Sequence, residues 1–277
     1  MTIHLYTLCW NEADILPFFF RHFDPVVDRY VVADDGSTDG SLDILMAHPK
    51  VEVRRFQRVI ADSFVLSQQH FQNEAWRESR GTADWVIITA LDEHLTVRGG
   101  LGPYLDRYRG EGVTLIPALG YQMVSEDFPA ADETLVRTRT QGAPYHRMNK
   151  LAIFDPAAIT DTGFQPGRHA SRPKGRLVYP RRNELMLWHY KLMGKQRMLD
   201  RQRAQSKGLG PGDAAKGFGA HYTVADAEML TVWDSFEERL IDLGDPAFDP
   251  ALPGNYEGPL WWRKSRASRL WRWLRRR

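Results

Sequence analysis

The chain has 277 residues, of which 43% are hydrophobic and 12% aromatic, enough to bury the core of one large globular domain. Its only cysteine is Cys9, which excludes an internal disulfide and a cysteine-based zinc site and favours a reducing compartment. The formal net charge is +2, but eight of the 37 basic residues lie in 261–277, which contains no acid, so 29 bases face 35 acids elsewhere. With no signal-peptide pattern and no apolar run near the ~20 residues of a membrane span, we expect a cytoplasmic protein.

The N-terminal half alternates strand-like and helix-like patterns. Strands are predicted at 3–10, 29–34, 51–56 and 84–90, and helices between them at 12–23, 41–49 and 64–81. Such alternation favours an α/β fold with a mostly parallel, Rossmann-like sheet and helices on both faces. A ligand site is then expected at the carboxyl ends of the strands.

Beyond residue 100 the pattern becomes irregular. It predicts strands at 112–118, 150–155, 176–180 and 185–190, followed by helices at 194–208 and 224–240. Residues 244–260 are rich in Pro, Gly and Asp and are typical of a connecting segment. We therefore expect one domain over 1–243, with halves 1–100 and 101–243, a linker at 244–260 and a basic tail at 261–277.

Two adjacent carboxylates, Asp34 and Asp35, end the second predicted strand and run into the turn "GSTDGS". A carboxylate there can accept a hydrogen bond from the imide of a uracil-like base or from ribose hydroxyls, and Gly36 and Gly40 leave room for a ligand to approach the backbone. The alternative is an Asx turn before the 41–49 helix, with Asp39 as its N-cap.

The fourth predicted strand, "DWVIITALDEHL", ends on Asp92, Glu93 and His94. Hard divalent cations such as Mg²⁺ or Mn²⁺ prefer carboxylate oxygens placed beside bound phosphates. Asp92 is therefore a candidate metal ligand. A turn role without metal is the alternative.

The stretches "LYTLCWNEADIL", "VVADDGSTDGS" and "RGTADWVIITALDEHL", taken together and in this order, resemble the family 2 glycosyltransferases. The resemblance covers about the first hundred residues. It implies a GT-A fold, a nucleotide-sugar donor, with a UDP-sugar favoured, and a Mn²⁺ or Mg²⁺ cofactor. The residues that it assigns to the nucleotide-sugar site are Thr7, Asn11, Glu12, Asp34, Asp35 and Asn73. Asn11 and Glu12 could instead simply begin the first helix.

The resemblance also implies ligands for the cation and the diphosphate. The family's metal motif is Asp-X-Asp, whereas this chain has Ala90 in the first position and Asp92 in the last. Related enzymes often supply a histidine from their C-terminal part, which points to His189, although a histidine after Trp188 could also be a packed core residue. His169 is a candidate for contact with the donor phosphate or the acceptor. Lys150 is a candidate for neutralising charge on the leaving diphosphate. The segment "KGFGAHYT" also resembles one seen in some family members, which implies that His221 closes over the site.

The general base in this family is usually an acid beyond the metal motif, and "MVSEDFP" offers Glu126 and Asp127, of which Asp127 is preferred. A solvated acidic loop is the alternative. The expected activity is an inverting transfer of a sugar from the nucleotide-sugar to a glycan or lipid-linked acceptor. The second hypothesis is a non-catalytic nucleotide-sugar or glycan-binding protein of the same fold.

The tail 261–277 places apolar residues on one side of a helix and arginines around them. The apolar residues are Trp262, Ala267, Leu270, Trp273 and Leu274. This pattern is typical of an interfacial helix on anionic lipid, so we expect a peripheral position at the inner membrane face. Binding of nucleic acid is a rival hypothesis that we do not favour, and a solubilising tail is the third.

Overall fold

The computed structural model describes residues 1–263. The strands are β1 Ile3–Cys9, β2 Arg29–Asp34, β3 Val51–Arg55, β4 Trp85–Ile88, β5 Glu93–Thr96, β6 Leu115–Ser125, β7 Gln141–Pro144, β8 Lys150–Phe154, β9 Ile159–Asp161, β10 Lys174–Gly175, β11 Met186–Met193 and β12 Ile241–Asp242. The α-helices are α1 Leu16–Phe23, α2 Ser41–Ala47, α3 Phe64–Glu74, α4 Leu101–Gly110, α5 Leu135–Thr138, α6 Lys195–Gly208, α7 Pro211–Ala215 and α8 Asp226–Glu237. The 3₁₀ turns are Ala75–Ser79, His146–Met148, Pro166–Arg168 and Ala220–Tyr222.

The N-terminal half forms a parallel sheet in the order β3-β2-β1-β4. β1, β2 and β4 are almost wholly buried because helices cover the sheet, which is why their sequences are continuous apolar runs rather than alternating ones. The α/β class and the parallel N-terminal half are confirmed. The carboxyl ends of β1, β2 and β4 therefore meet at one edge.

The sheet continues beyond β4 with a change of direction. β8 runs antiparallel to β4, and β6 runs antiparallel to β8. β6 then extends past this edge and pairs with β11 in parallel and with β7 antiparallel, while β5 joins the other side of β11. The long-range pairing of β5 with β11 brings residues that follow β4 next to the C-terminal half of the chain.

Several element boundaries differ from the sequence prediction. The first helix begins at Leu16 rather than residue 12, because residues 12–15 form a turn in which Ile15 N donates to the Glu12 carbonyl. β11 continues to Met193, so His189 lies within a strand and not at its end. The predicted strand at 176–180 is absent from the part of the chain that the structure describes, where Val178 instead exchanges isolated hydrogen bonds with Thr114.

The segment 244–260, for which a linker is expected, lies against the main hydrophobic core. Phe248 and Tyr256 are partly buried there, and Leu260 is 8% exposed. Trp262 is 6% exposed and donates its indole N–H to Asn183 Oδ1 at 3.0 Å, so this side chain is not available to a lipid surface. The rest of the expected tail helix, 264–277, lies outside the described residues. Within 1–263, no helix is both long and apolar enough to cross a bilayer.

Candidate active site

Asp34 and Asp35, at the carboxyl end of β2, have separate partners. Asp34 is 5% exposed and accepts hydrogen bonds from the backbone N–H groups of Gly36 and Ser37 at 2.9 and 3.0 Å and from the Ser37 hydroxyl at 2.5 Å. Asp35 instead pairs with the Arg58 guanidinium at 2.6 Å. Each carboxylate therefore has its own partners, which offset the repulsion between the two negative charges. Asp34 has the turn role that the sequence left open. Gly36 adopts φ +81°, which favours glycine in this turn.

The residues that follow β1 are held by α6. Asn11 has φ +53° and accepts the Thr38 N–H at 2.7 Å, which ties the β1 loop to the β2 loop. Glu12 forms an ion pair with Arg201 of α6, and burial lowers the Arg201 pKa to about 10. Asn11 and Arg201 also line a cleft of about 470 Å³, together with Trp10. This cleft combines an aromatic face, an amide and a charged group beside the nucleoside positions.

Thr7 and Asn73 are the other two expected nucleotide-binding residues. Thr7 is buried in β1, 1% exposed. Both ends of the Asn73 amide bind the chain around Phe164: its oxygen accepts from the Thr162 hydroxyl at 2.8 Å and from Phe164 N at 2.9 Å, and its NH₂ donates to the Phe164 carbonyl at 3.1 Å. The geometry thus gives Asn73 a supporting role for the 162–164 loop, and its donor contact stays a prediction.

Asp92 and His189 come together although 97 positions separate them in the sequence. His189 Nε2 lies 3.5 Å from Asp92 Oδ2, because β5 begins directly after Asp92 and pairs with β11. The other ring nitrogen of His189, Nδ1, is 2.7 Å from Gln122 Oε1. Gln122 is 2% exposed, and its NH₂ group donates to the His189 and Met123 carbonyls, which fixes the amide so that Nδ1 carries the proton. Nε2 is then the ring nitrogen that faces Asp92.

This pair fits a divalent cation that is completed by substrate. Within residues 1–263 no cluster of three metal-binding side chains is found, so a fully protein-bound site is absent there. Mg²⁺ and Mn²⁺ often bind through one or two protein ligands plus substrate phosphates and water, and imidazole suits Mn²⁺. In metal sites a ligating histidine typically donates its other ring N–H to an oxygen that fixes the tautomer, and Gln122 Oε1 is such an oxygen here. Burial opposes ionisation of Asp92, but His189 and Lys191 hold its pKa below the usual value.

Glu93, next to Asp92, belongs to a buried ion-pair cluster and not to the metal pair. Lys150 Nζ donates to Glu93 Oε1 at 2.6 Å, and Arg168 pairs with Glu93 Oε2. All three residues are at most 5% exposed. Burial opposes ionisation of Glu93, but Arg168 and Lys150 keep its pKa well below the usual value. The ammonium of Lys150 is therefore already paired with Glu93. This differs from the expectation that Lys150 neutralises the charge of the diphosphate.

The segments around the Asp92–His189 pair also carry four basic side chains, those of Lys191, His221, His169 and Arg147. Lys191 lies two residues after His189 in β11, and its ammonium is 4.6 Å from the centre of the Tyr222 ring. The His221 ring lies 3.9 Å from that of Tyr222, and His169 Nδ1 is 2.7 Å from the Arg147 carbonyl. Burial lowers the pKa of Lys191 to about 8.

Some of these residues could have been found by sequence and others could not. Lys191 could have been found because it lies two residues from His189 in the sequence, although a register shift of β11 between His189 and Leu192 interrupts the regular alternation of faces. Gln122, Arg147 and Arg168 come from elements whose pairing the sequence does not reveal.

Glu126 and Asp127, the candidate general bases, directly follow β6. The strand ends at Ser125, and residues 126–127 form a bend in which the Ser125 hydroxyl donates to the Asp127 carbonyl at 2.9 Å. Glu126 is 3.8 Å from Lys195 and strongly exposed, whereas Asp127 has no ion-pair partner among residues 1–263.

A larger cleft of about 1280 Å³ lies elsewhere. It is lined by Trp188, whose side chain is on the opposite face of β11 from His189, and by residues of the 95–104 and 243–250 segments. None of the residues expected in the nucleotide-sugar site lines it. Volume alone therefore does not identify the candidate site, whose polar side chains converge at the carboxyl ends of the strands.

The chain was compared with known proteins. A scan against protein-family models and a search of curated proteins found no match. Among solved structures, it is similar to glucosyl-3-phosphoglycerate synthase from Mycobacterium tuberculosis, crystallised with Mn²⁺, uridine diphosphate and phosphoglyceric acid. The identity is 17%, the TM-score is 0.29, and the match covers 43% of this chain and 43% of that chain. A likeness of this extent assigns neither activity nor ligand to the present chain.

Proposed function

We propose that this protein is a metal-dependent, inverting glycosyltransferase of the GT-A type that transfers a sugar from a nucleotide-sugar, with UDP as the favoured nucleotide, to a glycan or lipid-linked acceptor. The observation that carries the proposal is the approach of His189 Nε2 to Asp92 Oδ2 at 3.5 Å, with Gln122 fixing the imidazole. The pair follows β4 at the same sheet edge at which Asp34 and Asp35 end β2, as the motif resemblance implies.

One group of residues is proposed to bind the nucleoside of the donor and another to bind its diphosphate. Asp34, Asp35, Asn11 and Glu12 lie at the ends of β1 and β2, where the nucleoside is expected, and the cleft beside Trp10 offers a ring for stacking. The diphosphate then lies beside Asp92 and His189. Lys191 has no carboxylate within ion-pair distance in the described part of the chain, so its charge is available for the diphosphate.

The reaction follows from this placement. The acceptor hydroxyl oxygen bonds to the anomeric carbon, the bond from that carbon to the diphosphate breaks, and the hydroxyl proton passes to a carboxylate, for which Asp127 is proposed. Asp92 and His189 would hold the divalent cation, which when bound supplies charge stabilisation to the leaving diphosphate. Lys191 adds a fixed positive charge on the same group. Glu93 is not proposed as the base, because it is buried and both of its carboxylate oxygens are engaged, by Lys150 and Arg168.

The first prediction tests the metal pair through thermal unfolding. UDP should raise Tm more with Mn²⁺ than without it, because a ligand at about 100 times its Kd stabilises the native state by ~2.7 kcal/mol. Asp92→Asn and His189→Gln should lose the Mn²⁺-dependent part of the shift and keep the metal-free part. Asp106→Asn, an exposed acid on α4, is the matched control. Equal shifts with and without Mn²⁺ in the wild type would remove the cation from the proposal.

The second candidate function is a non-catalytic protein that binds a nucleotide-sugar or glycan. It is favoured by Ala90, which stands in the first acidic position of the metal motif and offers only its backbone N–H, bound to Glu93 Oε2 at 3.1 Å. Release of UDP from a panel of UDP-sugars separates the two functions. Mn²⁺-dependent UDP binding without any release, with and without acceptor extracts, would favour the binding protein.

A further inference from the structure

A group of basic side chains lies on one side of the Asp92–His189 pair and is not needed for the nucleoside. We call Arg147, His169 and His221 the basic mouth. The three come from separate segments: the 3₁₀ turn before β8, the loop after the 3₁₀ turn 166–168, and the 3₁₀ turn before α8. Each side chain is exposed, so a ligand can reach it.

Contacts fix each segment of the basic mouth. His169 Nδ1 lies 2.7 Å from the Arg147 backbone carbonyl, which attaches the His169 loop to the 146–148 turn. His221 packs on Tyr222, over which Lys191 lies at 4.6 Å. Arg168 reaches the Ile88 carbonyl at 2.5 Å and so attaches the loop that bears His169 to the end of β4.

The acids that could neutralise the basic mouth are already engaged. Glu93 is shared by two cations, Lys150 and Arg168, so these three buried groups carry an excess of positive charge. Glu257, the acid nearest the 146–148 turn, pairs with Arg239 and contacts His146. The Arg147 guanidinium has no carboxylate within ion-pair distance among residues 1–263. An arginine without a carboxylate partner, beside buried groups that carry an excess of positive charge, favours an anionic ligand.

The order of the sheet separates the basic mouth from the donor nucleoside. The strands run β6-β8-β4-β1-β2 across the sheet. The nucleoside positions follow β1 and β2, Asp92 follows β4, and the turn that bears Arg147 precedes β8, which is antiparallel to β4. Arg147 therefore lies across Asp92 from the nucleoside, on the side where β6 ends and the acceptor would enter.

We propose that the acceptor carries a phosphate or carboxylate group close to the hydroxyl that reacts, and that Arg147, with His169 and His221 as hydrogen-bonding partners, binds this group. The inference rests on the proposed function because it names the acceptor class of the same site. Arg147 is then a specificity-determining residue. It selects acceptors by their charge and leaves the donor diphosphate to Lys191 and the Asp92–His189 pair.

The test fills the donor subsite first. Protein saturated with UDP and Mn²⁺ is titrated calorimetrically with glucose, glucose 6-phosphate and glucuronate, and the same series is repeated without UDP. We expect one or both anions to bind about tenfold or more tightly than glucose, as a charge-assisted hydrogen bond predicts. The phosphate and carboxylate arms identify which group the mouth prefers. Arg147→Gln should abolish the preference, whereas Arg181→Gln, an exposed arginine on the 176–184 segment, should keep it.

The outcomes distinguish this inference from the proposed function. Failure of UDP to bind contradicts the proposed donor, while a preference for anions that depends on Arg147 would still support the anion site. Normal UDP binding with equal affinity for glucose and both anions overturns the inference alone. It is also overturned if Arg147→Gln weakens UDP binding as much as it weakens binding of the anions, because Arg147 would then belong to the donor diphosphate.

Discussion

At the scale of single residues, His94 is a buried histidine whose ring nitrogens both lack a hydrogen-bond partner among residues 1–263. It is 1% exposed and stacks on His22, with the ring centres 4.6 Å apart. Burial holds the pKa of His94 well below the usual value and lowers that of His22 to about 4. Both rings are therefore neutral in the native state at neutral pH, and His94 acts as a core residue.

The residue-scale prediction concerns pH. A histidine whose native pKa is lowered binds its proton more readily in the unfolded state, so stability is full above about pH 6.5 and is lost as pH falls toward 4, by ~1.4 kcal/mol per pH unit for each such group. His94→Leu should reduce the loss of unfolding free energy between pH 7.5 and 5.0 by ~2 kcal/mol, measured by urea unfolding. His70→Leu, which changes an exposed histidine, should leave the pH dependence unchanged. An identical pH dependence in the His94 variant and the wild type would argue against a buried neutral His94.

The residues of the candidate site differ in how far sequence could predict them. Asp92 and His189 were expected to share a cation, and the structure places their side chains 3.5 Å apart. Glu93 stands beside Asp92 in the same motif, yet its environment is set by Lys150 and Arg168, which lie 57 and 75 positions further along the chain. Motif spacing reports local chemistry, whereas the partner of a buried charge depends on tertiary pairing that a single sequence does not encode in any local pattern.

At the scale of elements, the 162–172 loop is attached to the sheet edge through Arg168. This residue has φ +58°, a conformation that is unfavourable for a side chain larger than glycine, and is 2% exposed. Its guanidinium binds the Ile88 carbonyl at the end of β4 and the Glu93 carboxylate at the start of β5. The strain is offset by these buried charge-assisted contacts, which hold His169 at the site.

The element-scale prediction follows from that anchor. Arg168→Leu should lower the unfolding free energy by roughly 3–5 kcal/mol, because removing one partner of a buried ion pair leaves Glu93 with Lys150 alone. Arg172→Leu, an exposed arginine on the same loop, should change it by less than ~0.5 kcal/mol. Urea unfolding at pH 7.5 measures both. Equal stabilities of the two variants would show that the Arg168 contacts do not anchor the loop.

Elements were predictable where the chain alternates regularly. The apolar runs of β1, β2 and β4 and the helices between them gave the parallel half of the sheet, because strands that alternate with helices along the chain pair in parallel. The pairing of β5 with β11 joins segments about 90 residues apart and reverses the strand direction. No periodicity signals such a pairing, so the half of the sheet that positions His189 could not be derived.

At the scale of the whole molecule, the segment after residue 243 decides where the folded unit ends. Its composition of Pro, Gly and Asp predicts a linker, but composition does not report the few aromatic side chains that anchor a segment. Phe248 stacks edge-on against Tyr121 of β6 at 6.0 Å, and Tyr121 donates its hydroxyl to the Asn255 carbonyl at 2.7 Å. Trp261 donates its indole N–H to the Asn149 carbonyl, directly before Lys150.

The last prediction tests that boundary with two truncations. A chain that ends at residue 243 loses the buried side chains of Leu260 and Trp262, and core truncations of this kind cost roughly 2–5 kcal/mol each. At ~2–4 °C per kcal/mol for a chain of this size, its Tm should fall by ~10 °C or more in a thermal unfolding experiment. A chain that ends at Arg263 is the control, because it keeps every contact described for this segment, and its Tm should match that of the full chain. If the shorter chain instead melts at the temperature of the full chain and retains the same UDP-dependent shift, then 244–260 is a linker as its composition predicts. If only the shorter chain is destabilised, the domain extends to residue 263, and the Asn149–Trp261 contact gives the reason: the same segment that closes the core also supports the strand that carries Lys150 to the edge of the candidate site.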